Sequence, residues 1–317
     1  MPSCTIAIPV YNRVDLIADC VASALAQPVA GLEVLVVDNC STDGTWELLQ
    51  RLDDRRLRLV RNERNLGLFG NFNRCLELAQ SPYLRFLCSD DRLPSACMGT
   101  EVAFMEAHPE VALLSTLARY CDIAGHPLGT VGDVLPAGVI PRAEAAATVL
   151  TTLLRLGVNP FCYPSGVMLR TSAMTACGRF DSTLRIAGDV DLFLRVVSSG
   201  DLAISRSPGA VVTAHAGQES RLRLGSSGFV HLREHLALVR RHRPAGAWAF
   251  ASSERVAAAI AAQSLWFAAA CFARRSWAGC RAHASFAWRI RRGGVLAQCL
   301  TLLLSRARYY LRPDPGR

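Results

Sequence analysis

An apolar run in RFLCSDDRL, Arg85 to Leu93, ends in two adjacent carboxylates, Asp90 and Asp91. Burying such a pair without a compensating charge is costly. The doublet therefore either faces a cation or stands in a solvated turn. A third reading is an N-cap, since Ser89-Asp90-Asp91 precedes a helical stretch. Another acid, Asp38, follows the short β-branched run Leu32 to Val37. Its neighbour Asn39 carries one side-chain acceptor and two donors, suited to a ligand or to an Asx-turn. Asp189 and Asp191 open a helical stretch in GDVDLFLR. Both could stabilise the helix dipole, and a carboxylate in that place could also take a proton from a hydroxyl. His215 stands after the last strand-like run. Neutral imidazole is a competent metal ligand and protonated imidazole a phosphate partner, although a lone histidine is ordinarily structural. Arg221 and Arg223 lie in the polar, Gly-rich stretch AHAGQESRLRLGSSG, which reads as a mobile loop. They could clamp phosphate or be simply solvated.

These residues need elements to hold them, and the chain supplies an alternation. Thr5 to Val10 reads as a strand ending at Tyr11-Asn12, and Asp15 to Ala26 as a helix. Leu32 to Val37, Leu57 to Val60 and Tyr83 to Leu87 read as further strands. Helical patterns follow them at Thr45 to Leu52, Asn71 to Ala79 and Ser95 to Ala107. Such β-α alternation predicts an α/β fold with a mostly parallel central sheet, where ligands bind at the carboxyl ends of the strands. Asn12, Asp38 and the doublet all fall at strand ends. Asp122 to Arg142, rich in Gly and Pro, reads as loop. A strand is expected within Phe161 to Leu169, a helix over Asp189 to Val197 and a last strand at Ala210 to Thr213.

The 317 residues suffice for one large domain or one domain with an appendage. From Phe229 onward fifteen Arg face only Glu234, Glu254 and Asp314, a net +12, while the rest of the chain is at −3. This divides the sequence into residues 1–228 and a basic, helical 229–317. Trp277, Phe286 and Trp288 interleave with the tail arginines at helical spacing, a core pattern, so no nucleic-acid partner is expected. The uncharged run Val256 to Ala273 carries Gln263 and Ser264 and reads as a buried helix of a hairpin rather than a membrane span. Val295 to Arg312 places Gln298, Thr301, Ser305, Arg308 and Arg312 on one polar stripe. Its wide apolar face suits packing on neighbouring helices or an anionic membrane surface. Twelve scattered Cys without a C-x-x-C pair argue for a reducing compartment. MPSCTIAIPV shows no secretory signal pattern, and a cytoplasmic location, peripheral to the membrane at most, is expected.

IPVYN (Ile8–Asn12), VVDNCSTDGT (Val36–Thr45), LCSDD (Leu87–Asp91) and GDVDLFLR (Gly188–Arg195), in this order, resemble the family 2 glycosyltransferases of the GT-A fold. NERNLGLFGNFN (Asn62–Asn73) and GRFD (Gly178–Asp181) extend the likeness, which runs to about His215. The resemblance implies a GT-A domain, Rossmann-like, followed by a C-terminal all-helical segment. It implies an inverting transferase that takes a nucleotide-diphosphate sugar with UDP or dTDP favoured, a divalent cation (Mn2+ or Mg2+), and a glycan or lipid-linked acceptor. Asp91 and His215 would hold the metal, and Asp189 would be the base. Pro9, Tyr11, Asn12, Asp38, Asn39, Asn65, Gly67, Asn71 and Asp90 would line the nucleotide-sugar site. Pro164-Ser165-Gly166 would border the acceptor pocket. The Q-x-x-R-W signature of processive synthases is not found, so single-sugar addition is expected. Cys88, Asn39 and Gly188 stand where many relatives have acids, which leaves a catalytically impaired binding module as the alternative.

Overall fold

The computed structural model describes residues 3–215, 217–218, 228–242, 253–273, 277–290 and 303. The first half alternates as expected. Strand β1 (Cys4–Val10) is followed by α1 (Ile17–Leu25), β2 (Leu32–Asp38), α2 (Thr45–Leu49), β3 (Leu57–Arg61), α3 (Leu68–Leu78), β4 (Tyr83–Phe86) and α4 (Cys97–Ala107). Then come β5 (Val111–Asp122), β6 (Pro127–Val131), β7 (Gly138–Ile140), α5 (Arg142–Leu156), β8 (Val167–Arg170), α6 (Thr171–Cys177), α7 (Gly188–Val196) and β9 (Asp201–Ala214). Helices α8 (Gly228–Arg241), α9 (Ser253–Ala273) and α10 (Trp277–Ile290) complete the described elements.

The nine strands form one mixed sheet in the order β3-β2-β1-β4-β8-β5-β9-β7, with β6 paired to β5. Strands β3, β2, β1 and β4 are mutually parallel, and β8 runs antiparallel between β4 and β5. The order 3-2-1-4 reverses direction at β1. The carboxyl ends of β1, β2 and β4 therefore surround the switch point at which this architecture binds ligands. Both faces of the parallel half are covered, so its strands read as continuous apolar runs. Ile6, Ile8, Val34 and Val36 are fully buried and pack with Ile17, Cys20, Val21 and Met98.

Three expectations change. The stretch Asp122 to Arg142 contains two short strands rather than continuous loop. Its glycines do turn the chain, at Gly125, Gly132 and Gly138 with φ of 87°, 97° and 105°, and β6 tolerates Pro127 as its first residue. The last strand begins nine residues earlier than Ala210, at Asp201. Val111–Asp122, to which the sequence assigned no element, is a 12-residue strand. The expectations for Arg221, Arg223 and the Val295 to Arg312 stripe lie outside the described residues.

The described residues fall into two compact units. One holds Met1–Ala145, Phe161–Leu184 and Gly188–His215, and contains the whole sheet. The other gathers Ala146–Pro160 and Arg185–Ala187 with the described residues after His215. Within the second unit Gln263 is buried, its Nε2 donating to the carbonyls of Leu153 and Leu154 at 3.1 and 3.0 Å. Ser264 donates to the His283 carbonyl at 2.9 Å. The two polar residues of the uncharged run are thus consumed inside a helical packing. Glu234 on α8 accepts the backbone N–H groups of Arg185, Ile186 and Ala187 at 2.7, 2.9 and 2.8 Å. No helix among the described residues is long and apolar enough to cross a membrane.

Candidate active site

The β1–β2 register sets Val10 beside Asp38, and the β1–β4 register sets Ala7 beside Phe86. The carboxyl ends of β2 and β4 therefore open at the same sheet end, two strand spacings or about 10 Å apart, with Asp38 closing the first and the doublet following the second. Asp38 is fully buried. Its carboxylate accepts the Ser41 N–H at 3.1 Å and pairs with Nε of Arg61 at 3.2 Å, its register partner on β3. Arg61 also donates to the Ser41 carbonyl at 2.8 Å and lies over the Trp46 ring, 5.4 Å from its centroid. Here the cation that makes a buried Asp tolerable comes from the neighbouring strand.

The first two loops are laced together. Asn12 adopts φ 50°, its N–H donates to Ser41 Oγ, and its Oδ1 accepts the Thr42 N–H, both at 2.9 Å. Pro9 is buried within β1, and Tyr11 stands 42% exposed at the strand's end. Only Tyr11 of these three presents a large surface to solvent.

Four asparagines form one cluster. Asn39 Nδ2 donates to Asn65 Oδ1 at 2.8 Å and to the Gly67 carbonyl at 3.2 Å. Asn39 Oδ1 accepts from Asn62 Nδ2 at 3.0 Å and from the Leu66 N–H at 2.9 Å. Asn62 also donates to Asn71 Oδ1 at 2.9 Å, and Asn71 Nδ2 donates to the Val37 carbonyl at 3.0 Å. A carboxamide oxygen has two lone pairs, and both on Asn39 are filled by its own chain. The Asn39 carboxamide is thus turned to its own chain. Its work here is to shape the 62–67 loop, in which Gly67 takes φ 77°.

Asp90 and Asp91 are held differently. Asp90 Oδ2 lies 2.8 Å from His215 Nε2. Asp91 is 3% exposed, and its Oδ2 accepts from Ser165 Oγ at 2.6 Å while its Oδ1 accepts the Thr213 N–H at 3.2 Å. Burial, reinforced by the charge of Asp90, pushes the Asp91 carboxyl well above the ordinary 3.8. The Cys88 thiol is pushed up by burial first and then by Asp91 and Asp90, with Asp189 adding to the effect. Asp189 is therefore within electrostatic reach of the doublet's own strand end. Ligand atoms of Cys88, Asp90 and Asp91 all lie within 4.8 Å of one another. Two carboxylates suit a hard divalent cation. The upward push on Asp91 comes first from burial and then from the charge of Asp90, and a bound cation would offset the second. The residues fit the group.

This electrostatics has a measurable consequence. A carboxyl raised in the folded state binds more protons there than in the unfolded chain. Asp91's contribution to stability therefore falls as pH rises from about 4 through its folded pKa, then levels off. A divalent cation cancels that loss, so Mn2+ is expected to stabilise the protein more at pH 8 than at pH 5. Urea-denaturation midpoints with EDTA and with Mn2+ check this, and an equal Mn2+ effect at both pH values contradicts it.

Asp189 sits in the first turn of α7, 9% exposed, with Oδ1 accepting the Val190 N–H at 2.8 Å. The residue before it, Gly188, has a physical reason to be small. A Cβ there would meet the Phe69 ring at 2.5 Å, and Phe69 stacks on Phe180 with centroids 5.4 Å apart. The volume that an acid would need is filled by this aromatic pair. Asp191 is fully buried and pairs with Arg195 one turn on, at 3.0 Å. Arg195 donates further to the carbonyls of Cys177 and Arg179. The Asp191 carboxylate is thus engaged by an ion pair within its own helix.

Sequence reasoning missed Arg61 and Thr213 and the contact of Ser165 with Asp91. Ser165 is completely buried, its hydroxyl on the Asp91 carboxylate. All of these contacts are tertiary, and no local pattern announces them.

With that geometry in view, the comparisons are specific. The model of glycosyl transferase family 2 matches residues 5–176. The succinoglycan biosynthesis protein ExoO of Rhizobium meliloti (strain 1021) is 27% identical over 223 residues, 70% of this chain and 64% of that protein. An Escherichia coli protein, WfaP, a UDP-Glc:alpha-D-GlcNAc-diphosphoundecaprenol beta-1,3-glucosyltransferase, is 34% identical over 102 residues. That match covers 32% of this chain and 41% of WfaP. The chain thus spans less than two thirds of the length of either relative. Among solved structures, S. aureus TarS 1-349 in complex with UDP-GlcNAc superposes with a TM-score of 0.62 at 15% identity. It covers 98% of this chain and 92% of TarS 1-349, a likeness of fold.

Proposed function

The chain belongs to glycosyl transferase family 2, and from that premise we propose an inverting, non-processive glycosyltransferase that moves one sugar from a nucleotide-diphosphate donor to an acceptor hydroxyl. The observation that carries this reading is the Cys88–Asp90–Asp91 cluster at the switch point, its ligand atoms within 4.8 Å of one another, with Asp91 buried and Asp90 half-buried. UDP or dTDP is the favoured carrier, and TarS, of the same fold, is known in complex with UDP-GlcNAc. The acceptor is a glycan or lipid-linked glycan of cell-surface polysaccharide assembly. The names of ExoO, a succinoglycan biosynthesis protein, and WfaP, which acts on a diphosphoundecaprenol-linked sugar, support that choice. Residues 1–228 carry the chemistry. The basic 229–317 region places a cytoplasmic enzyme peripherally at the inner face of the membrane.

The reaction is an in-line displacement. Asp189 takes the proton of the acceptor hydroxyl as its oxygen forms a bond to the anomeric carbon. The bond from that carbon to the diphosphate oxygen breaks on the opposite face, and the nucleotide diphosphate leaves with the electron pair. A divalent cation, when bound, neutralises charge growing on the diphosphate. Asp91 and Asp90 would hold it with His215, which orients Asp90 through their 2.8 Å contact. Asp38 with Arg61 and the Asn39–Asn65–Gly67–Asn71 cluster shape the nucleoside end, bordered by Pro9, Tyr11 and Asn12.

The test is release of nucleotide diphosphate from UDP- and dTDP-sugars with Mn2+ or Mg2+, in the presence and absence of lipid-linked acceptors. Metal-dependent release that rises with acceptor is the expected result. Tight nucleotide binding with no turnover for any donor would instead establish the impaired binding module.

A further inference from the structure

We infer that Ser165 is a positioning residue for the acidic doublet, a fixed hydroxyl that aims Asp91 at the cation. This rests on the reading of the doublet as a cation and diphosphate site. The residue lies in a single 3-10 turn, Pro164–Gly166, just before β8, and is fully buried. Its main chain is clamped from several directions. The Ser165 carbonyl accepts Nε and Nη2 of Arg85 at 3.1 and 2.5 Å. The next carbonyl, of Gly166, accepts Thr116 Oγ1 at 2.9 Å. The Gly166 N–H closes the turn on the Tyr163 carbonyl at 2.8 Å. Cys162 enters it at φ 65°.

The hydroxyl therefore has a set direction. Ser165 Oγ accepts the Cys88 N–H at 3.0 Å. A backbone N–H can only donate, so the single hydroxyl proton is left for Asp91 Oδ2, 2.6 Å away. That length is in the range of an O–H donor on an ionised carboxylate. Thr213 N–H fills one lone pair of the other oxygen. With one lone pair on each oxygen taken, the remaining two are fixed in direction. One Asp91 carboxylate oxygen lies within 4.8 Å of the Asp90 and Cys88 ligand atoms. The same hydroxyl holds the main chain at Cys88, two residues before the doublet. Ser165 thus fixes both the carboxylate and the backbone that carries it. Removing an outer partner of a metal ligand ordinarily weakens metal binding by about 10- to 100-fold.

The experiment measures Mn2+ binding to the full chain, alone and with UDP, by electron paramagnetic resonance. Ser165→Ala is expected to raise the Mn2+ Kd by about 10- to 100-fold. Ser165→Cys, nearer in volume and a weak donor, carries the same expectation if the alanine variant does not fold. Thr116→Val frees the Gly166 carbonyl of the same turn but leaves the hydroxyl in place, and is expected to keep the Kd within about threefold. A Ser165 variant that binds Mn2+ within about threefold of wild type overturns the inference while the metal reading stands. So does a Thr116→Val loss as large as that of Ser165→Ala, because the turn and not the hydroxyl would then be responsible. A wild-type chain that binds no Mn2+ in either condition sinks the metal reading itself.

Discussion

Replacing Asp189 by Asn is expected to lower glycosyl transfer by about 10³-fold and to leave nucleotide-diphosphate affinity within about twofold. The first figure follows from what a positioned base contributes, roughly 10² to 10⁴. The second follows from local structure. The carboxylate accepts the Val190 N–H at 2.8 Å, and an amide oxygen accepts that bond as well as a carboxylate oxygen does. Shape and the start of α7 are preserved, while the ability to take a proton is lost. The loss belongs in kcat rather than in donor KM, since a base that acts only on the acceptor proton does not hold the ground-state donor. Steady-state rates and a nucleotide titration of the same preparation separate the two. A variant that loses nucleotide binding along with rate would move Asp189 from proton transfer to donor binding.

The class of fold and the place of the site were legible because the sequence makes them local. Strands buried on both faces are short apolar runs. β2 ends in Asp38, and Asn12 and Asp90-Asp91 follow β1 and β4 within two and five residues, so these polar residues mark the strand ends without tertiary information. The second half of the sheet hid itself. Strand β9 contains Pro208-Gly209, and its pairing with β5 shifts register around Ser115 and Leu117. The break in alternation left only the far end of β9 readable. Roles were less legible than places. Asn39 has the right chemistry for a base, and only the positions of Asn62, Asn65 and Leu66 show its carboxamide already occupied. Ser165 meets Asp91 across 74 residues of chain, a distance over which no spacing rule operates. Gly188 looked like a lost acid; the Phe69 ring beside it makes it a packing requirement.

Arg85→Met is expected to cost about 3–5 kcal/mol of folding stability, the range for removing one partner of a buried ion pair. Arg85 is fully buried in β4 and pairs with Glu101 of α4, itself 6% exposed. Besides Ser165, its guanidinium serves the Gly209 carbonyl at 2.5 Å. The methionine leaves Glu101 charged in an apolar setting. Burial already raises the Glu101 carboxyl, against the pull of Arg85, and without Arg85 it rises further. Protonation then relieves the penalty, so the deficit relative to wild type is largest near pH 8 and shrinks toward pH 5. Replacing both partners, in Arg85→Met with Glu101→Leu, recovers most of the stability, since an apolar pair often matches a buried ionic one. Metal affinity is expected not to recover with it, because the Ser165 carbonyl still lacks its Arg85 donors and the hydroxyl is no longer held toward Asp91. Urea denaturation at the two pH values and Mn2+ binding, on both variants, separate what Arg85 does for the fold from what it does for the doublet. A double variant that regains full Mn2+ affinity would confine Arg85 to the fold.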